Sequence, residues 1–181
     1  MEIIRVDFTG RRDIVGMKVI FLDVDGVLCT PVSHTLNRLR KTPVESQQFD
    51  PISLFWLRWL VHKTDAAVVL SSTWRDGLMM EDPFCKAYIK NLFERLSANG
   101  TPLSDVTPFI PHGGKSSEIL AWLGCSPCEK YVILDDTDYF SESPETASHW
   151  VPIPNSRGLR FRQAWQALHL LQSSVRWNRA K

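Results

Sequence analysis

Six polar side chains directly follow short apolar runs of the chain. They are carboxylates and hydroxyls, the groups that bind cations and phosphate oxygens. Short continuous apolar runs are typical of strands buried on both faces of a parallel sheet, and ligands bind beyond the carboxyl ends of such strands. We therefore expect these side chains at one edge of a sheet. In chain order they are Asp23, Asp25, Ser71, Ser72, Asp135 and Asp136.

Carboxylates gathered at such an edge need a cation. Like charges in a partly buried site repel one another and cost free energy unless a positive group binds them. A group of ligands made entirely of oxygen suits Mg²⁺, which prefers carboxylates, waters and phosphate oxygens. The recurrence of acids at the predicted strand ends therefore favours a magnesium site.

The apolar pattern predicts the elements that carry these residues. Asp50 and Pro51 supply the N-cap and first position of one helix, and Asn99-Gly100 ends the next helix. Alternating strands and helices predict a three-layer α/β/α, Rossmann-like domain with a parallel sheet of about five strands. The predicted strands are Val19–Leu22, Ala66–Leu70, Leu103–Thr107, Tyr131–Leu134 and Trp150–Ile153. The predicted helices lie within Ile52–Val61, Phe84–Leu96, Ser116–Leu123 and Phe161–Leu171.

Four of the tryptophans lie on the apolar stripes of these helices. They are Trp56, Trp59, Trp122 and Trp165. An apolar stripe at helical spacing faces the core of a globular protein. The pattern therefore predicts that these side chains are interior and do not form a platform for stacking nucleic-acid bases.

Four short motifs occur in order, each at a predicted strand end or helix start. Asp23-Val24-Asp25-Gly26-Val27 resembles the first motif of the haloacid dehalogenase-like (HAD) superfamily. Val68–Ser72, Lys115 and Val132–Asp136 resemble its second, third and fourth motifs. The stretch Leu70–Arg75 also resembles a small HAD group that is found alone or within RNA-repair proteins.

The resemblance implies a phosphohydrolase that works through an aspartyl-phosphate. Asp23 would be the nucleophile. Asp25 would protonate the leaving oxygen and then accept a proton from the water that clears the intermediate. Ser71 would hold a phosphoryl oxygen, and Lys115 would neutralise charge on the nucleophile and the transferred group.

The resemblance also implies Mg²⁺ as the cofactor. Asp23 and Asp136 would bind the ion through their carboxylates, with Asp135 beside them, and Asp25 would offer its backbone carbonyl. The remaining candidates are substrate-binding residues, namely Gly26, Ser72 and Arg75.

Several of these residues have a plainer interpretation. Either Ser71 or Ser72 could be the phosphate-binding hydroxyl, and either could instead cap a helix. Lys115 could be an ordinary surface lysine, and Arg75 could pair with an acid instead of a substrate phosphate. Asp138 is better explained as a turn residue than as a metal ligand.

Rival functions fit the sequence less well. Gly114-Lys115-Ser116 ends like a P-loop, but Phe109 stands where that motif requires a glycine. Dehalogenases of the superfamily lack an acid at the position of Asp25. A catalytically silent HAD-like binding protein remains as the alternative.

Length and charge set the domain organisation. The chain has 181 residues, 44% of them hydrophobic, which fits a single domain. Its net charge of +1 does not indicate any particular class of partner. We predict an N-terminal extension over residues 1–16, the HAD-like domain over 17–175 and a basic tail over 176–181. Basic residues without acids occupy Thr30–Thr42 and the chain from Arg157 onward.

The segments around the motifs are too short for a folded cap. Val27 to Asp50 suffices for a flap, so we expect an open site that admits a large or polyanionic phosphorylated substrate, for example a nucleic-acid end. No run approaches the roughly 18 apolar residues of a membrane span, and no signal peptide is evident. The four cysteines are expected as free thiols. A cytoplasmic protein without a membrane partner is the resulting prediction.

Overall fold

The computed structural model describes residues 17–126 and 128–173. The predicted N-terminal extension (1–16) and basic tail (176–181) lie outside the described residues. Within these ranges Cys29, Cys85, Cys125 and Cys128 are free thiols, as expected. No helix in the described part of the chain is both long and apolar enough to cross a membrane.

Five parallel strands form one sheet, which confirms the predicted three-layer α/β architecture. Their order across the sheet is β3-β2-β1-β4-β5, so the strand that carries the first motif is central. All four strand pairs are parallel. The strands are β1 (Lys18–Leu22), β2 (Ala67–Leu70), β3 (Leu103–Val106), β4 (Lys130–Asp135) and β5 (Trp150–Pro152).

Six α-helices and two short 3₁₀ helices complete the described chain. The helices are α1 (Pro31–Leu39), α2 (Pro51–Thr64), α3 (Pro83–Ala98), α4 (Lys115–Cys125), α5 (Pro144–Ala147) and α6 (Phe161–Gln172). The 3₁₀ helices are Val44–Ser46 and Thr73–Leu78. As predicted, Asp50 caps α2 through the amides of Ile52 and Ser53, and Gly100 follows α3 with a positive φ of 79°.

Alternate residues of the central strand enter different cores, because successive side chains of a strand point to opposite faces. Ile20 and Leu22 pack in the larger core with residues of α2, α3 and α6. Val19 and Phe21 pack in the smaller core with α4, whose Trp122 meets the Phe21 ring edge-on at 5.3 Å. Both faces of the sheet are therefore covered, and only the ends of its strands are accessible to a ligand.

Helix α1 was not predicted, because polar residues form its buried face. Ser33 and Asn37 are its buried residues. Thr30 and Ser33 form a capping box at its start, and Asn37 exchanges two hydrogen bonds with the backbone of Gln48. Hydrogen bonds therefore dock this helix, and they leave no apolar stripe in the sequence. It occupies the segment that we expected to form a flap.

The predicted burial of the tryptophans is wrong in part. Trp122 is buried, as expected. Trp56 and Trp59 are only partly buried against the core, and Trp165 is 46% exposed. The apolar stripes of α2 and α6 are wider than the surface that the sheet and the other helices cover.

A buried carboxylate joins the starts of three helices. Asp50 is fully buried and accepts hydrogen bonds from Thr30 Oγ1 at 2.9 Å and from the Arg160 guanidinium at 2.8 Å. Burial alone would raise the pKa of Asp50, but the bonds from Arg160 and Thr30 outweigh it and hold the pKa below its usual range. The first turns of α1, α2 and α6 are thereby fixed near the end of the loop that follows β1.

Candidate active site

Strand register brings the motif residues to one level. Leu22 of the central strand pairs with Leu70 on one side and Leu134 on the other. The residue after each of them in the chain is polar: Asp23, Ser71 and Asp135 respectively. The sheet therefore places three candidate side chains next to one another, as the sequence predicted from the strand ends.

The loop after β1 is anchored by its apolar residues. Val24, Val27 and Leu28 are completely buried, and the amides of Leu28 and Cys29 both donate to the Val24 carbonyl. We call residues 23–29 the catalytic loop. Because the apolar residues point inward, Asp23 stays at the end of β1 while Asp25 is exposed at the surface.

Lys115, the first residue of α4, bridges two of the carboxylates. Its Nζ lies 2.6 Å from Asp135 Oδ2 and 3.1 Å from Asp23 Oδ1. The Tyr139 ring lies 5.3 Å from the same ammonium group, a cation–π distance. Lys115 is therefore not an ordinary surface lysine, and its charge is directed at the predicted nucleophile.

Burial makes these charges depend on one another. Burial raises the pKa of Asp23, although Lys115 opposes the rise. Burial and then the charge of Asp23 raise the pKa of Asp135 to about 6, again against the effect of Lys115. Burial would lower the pKa of Lys115, but the two carboxylates outweigh it and raise that pKa. The group thus has more negative charge than one lysine compensates.

Three carboxylates are arranged to share a divalent cation. Oxygen atoms of Asp23, Asp135 and Asp136 all lie within 4.8 Å of one another. A set of carboxylate oxygens is the donor chemistry that Mg²⁺ prefers. The residues fit the ion, and Asp23, Asp135 and Asp136 would hold it. The Asp25 side chain is not among them, which is compatible with the backbone role expected for that residue.

Two buried hydroxyls beside the carboxylates have no hydrogen-bond partner. Ser71 and Ser72 are each 1% exposed, and neither Oγ makes a hydrogen bond. Ser72 lies close enough to Asp23 to oppose the rise in its pKa, but hydrogen-bond geometry is not met. Buried polar groups are normally satisfied, so these hydroxyls indicate a ligand with acceptor oxygens. The structure leaves both as candidates for the phosphate-binding residue. Neither Oγ caps a helix.

Gly26 allows the first and fourth motifs to touch. Its φ is 70°, and a Cβ atom at this position would lie 2.1 Å from Asp136 Oδ2. Any other residue would be strained and would push the Asp136 carboxylate away. The structure therefore gives Gly26 a role in shaping the metal site, while its contact with substrate remains a prediction.

Trp74 holds the carboxylate of Asp25. The indole Nε1 donates to Asp25 Oδ2 at 2.9 Å. The indole itself is buried and stacks on Tyr88 with 3.8 Å between ring centroids. The sequence analysis gave no role to Trp74, which lies within the stretch Leu70–Arg75. No local signal links residues 74 and 25, because the contact depends on the tertiary structure.

Arg75 is turned into the protein. Its guanidinium pairs with Glu118 of α4 at 2.6 Å and donates to Thr107 Oγ1 at 3.0 Å. Both members of the ion pair are buried. This geometry favours the plainer interpretation, in which Arg75 pairs with an acid instead of a substrate phosphate. Substrate binding by Arg75 stays a prediction that the structure does not support.

Asp138 serves as a turn residue, as the sequence favoured. Its Oδ1 accepts hydrogen bonds from the amides of Phe140 and Ser141. These bonds lower its pKa, the bonds to Ser141 most strongly. Asp138 therefore shapes the loop after β4 that carries Tyr139 past Lys115.

The parallel sheet, the acidic strand ends and the lysine at a helix start define a HAD-type domain, within a superfamily of hydrolases and phosphatases that generally use Mg²⁺. Residues 19–164 match the family described as the HAD domain in Swiss Army Knife RNA repair proteins. The chain belongs to this family. No curated protein matches the sequence.

The contact between Gly26 and Asp136 generates a prediction about metal affinity. Gly26→Ala should weaken Mg²⁺ binding by about ten-fold or more, because the methyl group displaces a carboxylate of the site. Isothermal titration calorimetry with the ion alone measures this without any substrate. Gly124→Ala is the matched control, since a Cβ there meets nothing within 4 Å. Equal affinity in both variants would exclude Asp136 as a ligand.

Proposed function

We propose that this protein is a magnesium-dependent phosphatase in which Asp23 attacks the phosphorus of a phosphate ester. The observation that carries the proposal is the contact between Lys115 and Asp23, 3.1 Å long, beside two buried hydroxyls that lack partners. Phosphoryl transfer requires mainly positioning and charge neutralisation. The site combines a fixed carboxylate, a fixed cation and hydroxyls for the phosphoryl oxygens.

In the first step a carboxylate oxygen of Asp23 forms a bond to phosphorus. The bond between phosphorus and the ester oxygen breaks, and Asp25 gives its proton to that oxygen, so an alcohol leaves. In the second step Asp25 accepts a proton from water while the water oxygen bonds to phosphorus. The bond to Asp23 then breaks, inorganic phosphate is released, and both aspartates return to their starting state.

The other residues of the site stabilise charge. Lys115 neutralises the Asp23 carboxylate and the oxygens of the transferred group. The hydroxyl of Ser71 or Ser72 donates to one of those oxygens. When bound by Asp23, Asp135 and Asp136, Mg²⁺ supplies further positive charge that stabilises the phosphoryl oxygens.

Asp23→Asn tests the nucleophile. The amide is nearly isosteric but a poor nucleophile, so turnover of para-nitrophenyl phosphate should be abolished while the thermal melting curve is unchanged. Asp82→Asn is the control, because Asp82 caps α3 at the surface and asparagine caps equally well. A chelator should stop the wild-type reaction. Mg²⁺ should restore it, and Ca²⁺ should not, because its looser coordination disturbs in-line geometry.

Three results of this experiment would contradict the proposal. Retention of a tenth or more of the activity in Asp23→Asn would exclude Asp23 as the nucleophile. Undiminished turnover in chelator would refute the metal. A wild-type protein that binds Mg²⁺ but turns over no phosphate ester would be the catalytically silent binding protein.

Trp74→Phe tests whether Asp25 is the positioned acid. Phenylalanine keeps a ring against Tyr88 but loses the donor to Asp25. We expect roughly a ten-fold or larger loss of kcat for an alkyl phosphate, whose leaving group needs a proton. The loss should be small for para-nitrophenyl phosphate, whose leaving group does not. A merely structural defect would slow both substrates equally.

Trp122→Phe is the matched control for this variant. It removes the same kind of hydrogen bond, from Trp122 Nε1 to Asp105 at 3.0 Å. This bond lies in the layer of α4, apart from the carboxylates of the site. The two substrates should keep their wild-type ratio of kcat in Trp122→Phe, and the same change of ratio in both variants would refute the role of Trp74.

We further propose that the natural substrate is a phosphate on a large polyanion, such as a nucleic-acid end. In the described chain the segment after the catalytic loop forms the small helix α1, with no folded cap domain. Arg38, Arg40 and Lys41 at its end are exposed. The words RNA repair in the description of the family point the same way.

Specificity constants for an end-phosphorylated oligonucleotide and for a mononucleotide test this proposal. The oligonucleotide should be preferred at low salt, and the preference should shrink as salt rises, because bound phosphates release counterions. Arg38→Ala with Arg40→Ala should reduce the preference, while Lys90→Ala, an exposed cation on α3, should not. Equal constants at low salt would refute the polyanion.

A further inference from the structure

Helices α2 and α6 present a continuous group of aromatic rings. It consists of Phe55, Trp56 and Trp59 from α2 and of Phe161 and Trp165 from α6, and we call it the aromatic surface. Neighbouring rings lie 5.0–6.2 Å apart between centroids, both within each helix and across the two helices. One connected surface therefore arises from two segments that are about a hundred residues apart in the sequence.

Three of these rings are half exposed. Phe55 is 57%, Phe161 53% and Trp165 46% accessible, and Ile52 beside them is 49% accessible. Single exposed apolar residues are ordinary, but a contiguous group marks an interaction site. The sequence predicted that Trp165 is interior and is not part of a stacking platform, but its exposure leaves the aromatic surface available to a partner in the described structure.

The charged residues within the two helices of the aromatic surface are positive. Neither α2 nor α6 contains an acidic residue. Lys63 follows Trp59 by one helical turn, and Arg162 directly follows Phe161; both are exposed. Asp50, just before α2, is fully buried and paired with Arg160. Asp65, just after α2, is an exposed acid two residues beyond Lys63, at the end of α2 that is farther from the carboxylates. Arg162, at the start of α6, is the cation nearer to the catalytic loop.

The aromatic surface begins beside the catalytic loop. The Leu159 amide donates to the Val27 carbonyl at 3.1 Å, and Phe161 is only two residues further along. Gly158 makes this approach possible, because a Cβ there would lie 2.7 Å from Val27 O and 2.5 Å from Thr30 Cγ2. The end of the aromatic surface on α6 therefore lies near the catalytic loop.

We propose that the aromatic surface binds single-stranded nucleic acid, with bases stacked on Phe55, Phe161 and Trp165 and phosphates next to Lys63 and Arg162. Exposed rings next to cations are how proteins hold single strands without reading their sequence. The inference deepens the proposed function, on which it rests for the strand's phosphorylated end in the active site. An acidic protein would match the charges but would not need the flat faces of several rings.

Fluorescence anisotropy tests the binding directly. The probes are a short single-stranded oligonucleotide without a terminal phosphate and an abasic strand of the same length and charge. The full chain should bind the first probe more tightly. Phe161→Ala with Trp165→Ala should weaken that binding by about ten-fold or more and abolish the preference for bases. Phe84→Ala, which removes a half-exposed ring of α3 outside the surface, should change nothing.

A second variant covers the case in which the double alanine variant does not fold. Arg162→Glu changes only an exposed charge, and it should weaken the binding of both probes. Thermal melting establishes folding, and turnover of para-nitrophenyl phosphate should stay at the wild-type level in every folded variant. If the wild type binds the oligonucleotide but does not turn over para-nitrophenyl phosphate, the proposed phosphatase activity is refuted. The proposed binding by the aromatic surface would be unaffected by that result.

Three results would overturn the inference. The first is equal affinity of the wild type for the two probes, and the second is unchanged binding in the folded Phe161→Ala, Trp165→Ala variant. The third is sedimentation that shows the wild type pairing with itself through these rings, so that the double variant is monomeric and the oligonucleotide does not compete. That result would make the aromatic surface an interface between copies of this chain.

Discussion

The structure depends on the repulsion among carboxylates at one edge of the sheet. The register of three strands places Asp23 and Asp135 side by side, and the turn at Gly26 brings Asp136 within reach. Burial, and next to it the charge of Asp23, raise the pKa of Asp135 to about 6. Lys115 compensates one charge. The remaining negative charge is the physical reason why a divalent cation would suit this group of carboxylates.

Lys115 and Asp25 are held in place by different elements of the fold. Lys115 begins α4, and Trp74 of the 3₁₀ helix Thr73–Leu78 holds Asp25. The buried pair of Arg75 and Glu118 ties that 3₁₀ helix to α4. Breaking a buried pair costs about 3–5 kcal/mol, so this ion pair fixes Asp25 and Lys115 relative to each other. Arg75, which was expected to bind the substrate, therefore supports the geometry of the site from inside the protein.

The sequence revealed the parts of the site that local patterns encode. Each central strand is an apolar run that switches to a polar residue, so Asp23, Ser71 and Asp135 could be placed at one edge without knowledge of the register. The partner of Arg75 could not be found, because a contact with Glu118 across 43 residues leaves no periodic signal. Helix α1 was missed because Ser33 and Asn37 face inward through hydrogen bonds. Trp165 was misplaced because an apolar stripe gives the direction of a helix face but not how much of that face its neighbours cover.

The surroundings of the site follow from how the catalytic loop is secured. Asp50 receives hydrogen bonds from Thr30, just after that loop, and from Arg160, just before α6. This buried carboxylate requires both partners, since an unpaired buried charge is costly. The starts of α1, α2 and α6 therefore converge where the loop ends. As a consequence the first turns of α1 and α6 lie next to the end of the catalytic loop, whereas Arg38, Arg40 and Lys41 lie at the far end of α1. The buried Asp50 thus determines which parts of the two helices surround the carboxylates, because only their first turns are tied to it.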